Sequence, residues 1–89
     1  MIIDIGETYP GSNATFKVDD IEYEVYISDR SNVAGYANVI VKDGKTGEKF
    51  YCNGILEINN HQFTFKWKDE YNNNRDNWVC GSTLLVYVN

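Results

Sequence analysis

The sequence predicts an all-β fold, a small antiparallel β-sandwich or barrel of seven to eight short strands joined by hairpins. Three observations predict it. Apolar and polar residues alternate with period two in segment after segment, as in Phe63-Thr64-Phe65-Lys66-Trp67. Turn-forming residues recur between those segments, at Pro10-Gly11, Asp19-Asp20, residues 43–47 and Asn59-Asn60. No stretch keeps a 3.6-residue apolar period for three turns, so no helix is expected. At 89 residues the chain is expected to form a single β domain over 1–89, because two domains would each be too small to bury a core. With 43% hydrophobic and 15% aromatic residues, that domain has enough apolar surface to fold.

Taken in order, Ile2, Ile3 and Ile5 predict a short first strand, followed by a turn-rich stretch from Gly6 to Asn13. Within it Tyr9-Pro10-Gly11-Ser12 fits a type II turn, with Pro fixing φ and Gly taking φ > 0. Residues 14–18 and 21–27 flank Asp19-Asp20. A two-residue loop there pairs Val18 with Ile21, Phe16 with Tyr23 and Ala14 with Val25 on one face, and Lys17 with Glu22 and Thr15 with Glu24 on the other. Residues 29–35 read as a loop. Residues 36–42 and 48–52 flank a glycine-containing hairpin turn, with Ala37, Val39 and Val41 facing inward. Residues 55–58 and 61–68 flank Asn59-Asn60, and Asn tolerates the left-handed region. Residues 69–77 read as a polar loop. Residues 82–88 close the fold, and the run Leu84-Leu85-Val86-Tyr87-Val88 predicts a central strand covered on both faces.

The net charge is −5, and all of it lies in the first third. Residues 1–30 hold seven acids against Lys17 and Arg30, whereas residues 31–89 hold six acids and six bases. An acidic field repels phosphate backbones, so no direct nucleic-acid contact is expected, and a basic protein partner is steered in. No apolar run approaches the ~20 residues of a membrane helix, and no basic, apolar leader precedes Asp4, so a cytoplasmic protein in a bacterial or phage-infected cell is expected. Asn, Ile, Tyr, Lys and Phe together make 36 of 89 residues, a bias that fits an AT-rich genome or a mobile element living on one.

The chemistry of catalysis is sparse. His61 is the only histidine, beside a turn on an apolar face, where a structural role is expected. Cys52 and Cys80 lie outside any C-x-x-C pattern and read as buried thiols, leaving open one bridge if the chain meets an oxidising compartment. Glu22 and Glu24 share one strand face ~7 Å apart, a pair that would serve acid–base chemistry only if one were desolvated. The oxygens of residues 69–77 lack the spacing of a calcium loop. No P-loop or dinucleotide fingerprint occurs. The expectation is no enzyme, no cofactor and no metal.

The informative oddity is apolar residues on faces that alternation makes polar. Tyr26 follows Glu22 and Glu24. If Val41 faces Phe50, then Ile40 faces Tyr51 and both point outward. A patch of Tyr26, Ile40 and Tyr51 bordered by Asp19, Asp20, Glu22 and Glu24 is expected to bind a protein; the competing expectation is a covered layer or single exposed tyrosines. The functional expectation is a non-enzymatic inhibitor, monomeric or a small homo-oligomer, that occludes a basic or catalytic surface. Concrete forms are a phage anti-defence protein such as an anti-CRISPR, or a toxin-immunity protein. The alternative is a carbohydrate-binding module using Tyr71, Asn73 and Trp78. A third reading is a structural phage or envelope subunit that works by edge pairing or oligomerisation.

Overall fold

Tight turns set the registers of the strands. Asp19 and Asp20 both adopt left-handed backbone (φ 51° and 66°), and Asn59 and Asn60 repeat the pattern (φ 51° and 65°). Two consecutive left-handed residues make a turn whose twist matches that of paired strands. Tyr9–Ser12 closes as expected, with Ser12 N–H donating to Tyr9 O at 3.0 Å and Gly11 at φ 92°. In the 43–47 turn the two glycines serve different purposes. Gly47 supplies a positive φ of 80°. Gly44 supplies room, since its N–H donates to Glu22 O at 2.8 Å and a Cβ there would overlap that same carbonyl oxygen.

The computed structural model describes residues 1–30, 36–68 and 82–89. The described residues form eight strands: β1 (Ile2–Thr8), β2 (Asn13–Val18), β3 (Ile21–Arg30), β4 (Ala37–Asp43), β5 (Lys49–Cys52), β6 (Ile55–Ile58), β7 (His61–Trp67) and β8 (Ser82–Val88). They build two antiparallel four-stranded sheets, ordered β1-β8-β7-β6 and β2-β3-β4-β5. The all-β expectation therefore holds, and the fold is a sandwich. Each strand lies beside its sequence neighbours all the way round, with β8 returning to β1, which is the order of an up-and-down barrel. The ladder is broken between β1 and β2 and between β5 and β6, and those two breaks divide the meander into facing sheets.

The core lies between the sheets. Phe16, Tyr23, Val25, Ile27, Ala37, Val39, Val41 and Cys52 come from one, and Phe63, Phe65, Trp67, Leu84, Val86 and Val88 from the other. Phe16 and Tyr23 are register partners and stack at 5.2 Å between ring centroids. Phe63 meets both edge-on, at 5.6 Å and 5.1 Å, so one aromatic cluster bridges the layers.

Two strands run longer than alternation alone predicts, each through a bulge. β1 continues past Gly6 to Thr8. Its register shifts between Asp4 and Gly6, and the extra residue flips the parity, so Ile3 and Ile5 point inward before the shift and Thr8 is buried after it. β3 continues to Arg30 across a shift between Ile27 and Asp29, which corrects the expectation of a loop from residue 29. β8 is central, between β1 and β7, with Leu84, Val86 and Val88 buried. Its other side is more open than a strand covered on both faces, because Leu85 and Tyr87 are only half-buried.

Candidate functional site

The outer face of the β2–β5 sheet collects most of the singled-out residues. Tyr26 on β3 pairs with Ile40 on β4, and Ile40 pairs with Tyr51 on β5. With Asn13 opposite Tyr26, the four form one cross-strand row. Tyr26 is 40% and Tyr51 62% exposed, and Ile40 is half-buried between them. Burial of the inward neighbours Val25, Val39, Val41 and Cys52 forces this row outward, because successive side chains alternate across a strand.

The adjacent row is polar. Thr15 pairs with Glu24, Glu24 with Lys42, and Lys42 with Lys49. One step further, Lys17 pairs with Glu22. The border that the sequence suggests is acidic is thus mixed: Glu22 and Glu24 each stand opposite a lysine. Among the described residues no ion pair joins Glu24 to Lys42 or Glu22 to Lys17. A depression of about 210 Å³ opens between the two rows, lined by Asn13, Glu24, Tyr26, Ile40, Lys42 and Lys49. Lys42, Lys49 and Asn13 are the members of this surface that sequence reading missed. The first two were recoverable, since they lie two residues along the same strand face from Ile40 and Tyr51.

Asp19 and Asp20 lie apart, in the β2–β3 turn at one end of the sandwich. Asp20 borders Glu22 in a shallow depression also lined by Ile21, Gly44 and Lys45. Asp19 is engaged elsewhere, with its Oδ2 2.7 Å from Nε2 of His61 at the start of β7. The His61 ring also stacks on Phe63 at 6.1 Å. Beside this contact Asn59 Nδ2 donates to Tyr23 Oη at 2.8 Å and to Asp43 Oδ2 at 3.0 Å. Asp43 Oδ1 accepts from the Lys45 backbone at 2.7 Å. The Asn59 amide, followed by the Lys45 N–H, holds the Asp43 carboxyl below its ordinary pKa of 3.8. The polar groups at this end fasten the two sheets together. Cys52 carries a free, buried thiol whose pKa burial pushes up.

Tyr71, Asn73, Trp78 and Cys80 lie outside the described residues. Among the described residues no group of three or more His, Cys, Asp or Glu side chains is placed to hold a metal, and no helix is long and apolar enough to cross a membrane. Compared with known proteins, the chain matches no family model, no curated protein and no solved structure.

Proposed function

We propose that the protein is a non-enzymatic, protein-binding inhibitor that docks through the outer face of its β2–β5 sheet and occludes a basic or catalytic surface of its target. One observation carries the reading: Tyr26, Ile40 and Tyr51 stand in a single register row, with both tyrosines exposed. Aromatic residues flanking a depression are the usual anchors of protein interfaces, because they bury much area for few torsions. Glu22 and Glu24, with Asp20 bordering Glu22 at the end of the face, supply acidic contacts, and the net charge of −5 steers a basic partner toward the chain. An anti-defence protein of a phage, such as an anti-CRISPR, and a toxin-immunity protein both work this way, in the cytoplasm and without a cofactor.

Affinity capture of the tagged protein from lysate of its source cells tests the reading, with a salt step for elution and mass spectrometry for identification. The expected result is one basic protein in stoichiometric yield, released by salt. Recovery of no protein partner, or of an acidic one held through high salt, would count against it.

A further inference from the structure

The charge pattern of the outer face of the β2–β5 sheet is self-complementary. Along the polar row the strand order reads Thr15, Glu24, Lys42, Lys49, with the acid just to one side of the β3/β4 midline and the bases on the other. Along the apolar row it reads Asn13, Tyr26, Ile40, Tyr51. A two-fold axis lying in the face, parallel to the strands and midway between β3 and β4, exchanges the two sides without changing the row. Glu24 of one copy then meets Lys42 of the second copy, twice by symmetry. Tyr26 meets Ile40 of the second copy. Tyr51, 62% exposed, meets Asn13, which lines the depression. An in-face axis running across the strands along the polar row instead places Glu24 on Glu24 and Lys42 on Lys42, so charge selects the first arrangement over that one.

We infer that a second copy of this chain occupies this face, forming an isologous dimer about a strand-parallel two-fold between β3 and β4. The inference rests on the proposed reading of the face as a docking surface and names one occupant of it. Glu24 and Lys42 are opposite in register yet form no ion pair with each other or with another described residue, so both remain available across the interface. Two twisted sheets stack with strands within about 30° of each other, which this axis permits. Four strands spaced ~4.8 Å apart give a face at the small end of specific interfaces, so the dimer is weak and a tighter partner displaces it.

Sedimentation equilibrium of the purified full chain at low salt, from about 10 µM to about 1 mM, tests the inference. A concentration-dependent dimer is expected. Glu24→Lys and Lys42→Glu should each weaken it by roughly tenfold or more, since each sets like charges together twice. The double variant Glu24→Lys/Lys42→Glu should restore it to within about threefold. Glu57→Lys, on the opposite sheet, should leave it unchanged. Thermal melts of each variant separate a lost dimer from a lost fold. A monomer across the whole range, or a dimer indifferent to the charge reversals, would overturn the inference. Because only the pure chain is present, either failure leaves the capture of another protein to be judged separately.

Discussion

The carboxylate of Asp19 and the imidazole of His61 meet at 2.7 Å, joining the β2–β3 turn of one sheet to the start of β7 in the other. Asn59, two residues before His61, makes the second link, to Tyr23 and Asp43. This end of the sandwich is held by directional polar contacts, in contrast to the apolar layer between the sheets.

Asn59 suits its position in two separable ways. Its left-handed backbone serves the turn, and its amide satisfies the hydroxyl of the fully buried Tyr23. Asn59→Gly keeps the first and removes the second. It should cost about 1–3 kcal/mol, the penalty for leaving a buried hydroxyl without its partner. Urea denaturation should show a lower midpoint with an unchanged slope.

Asp43 sets an acid limit on stability. Folding lowers its pKa, so the native state binds a proton less readily than the unfolded chain. The resulting stabilisation is fully present above the unfolded value and fades as pH falls below about 4, through the native value. Denaturation midpoints measured from neutral to strongly acid pH should fall less steeply for Asp43→Asn than for the parent.

Gly44 and Gly47 should respond differently to substitution. Gly44→Ala drives a Cβ into the Glu22 carbonyl and breaks the hydrogen bond that extends the β3–β4 pairing, at a cost of about 1–3 kcal/mol. Gly47→Asn meets open space, and Asn accepts positive φ, so its cost should stay below about 1 kcal/mol. Thermal melts of the two variants compare them directly.

Trp67 is 4% exposed, and among the described residues its indole N–H has no hydrogen-bond partner. Trp67→Ala should cost about 3–5 kcal/mol through the cavity it leaves. Trp67→Phe keeps much of the ring and removes the unsatisfied donor, so its cost should be within about 1.5 kcal/mol. Equal losses for the two, measured in guanidinium, would contradict this account of the site.

Cys52 should be chemically silent in the native state. Burial excludes reagent and disfavours the thiolate. In a Cys80→Ser background, labelling by a disulfide reagent at mildly alkaline pH should be roughly 100-fold slower in buffer than in denaturant.

Much of the fold was legible because local turn chemistry fixes register. The Asp19-Asp20 turn placed Phe16 on Tyr23, as observed, and the Asn59-Asn60 turn, located from its residue types, sets Leu56 on Phe63. The extension of β1 was not legible. Gly6 resembles a strand end, and only the pairing with β8 reveals a bulge that carries the strand on to Thr8. The choice of sandwich over barrel depends on the missing ladders at β1/β2 and β5/β6, an edge property that alternation does not encode. The same divide runs through the candidate site. Ile40 beside Tyr51 follows from one short turn, whereas Tyr26 beside Ile40 requires the β3–β4 register, and six residues of sequence separate those strands. The link from Asn59 to Tyr23 spans 36 positions and leaves no trace in local pattern.

The central claim is that the Tyr26–Ile40–Tyr51 row contacts a protein, and the most direct measurement is a side-by-side capture with the parent chain and with Tyr26→Ala/Tyr51→Ala. Both residues are exposed, so the double variant should melt close to the parent. Loss of the captured partner from that folded variant is the predicted result. Recovery of the same partner in equal yield would contradict the account.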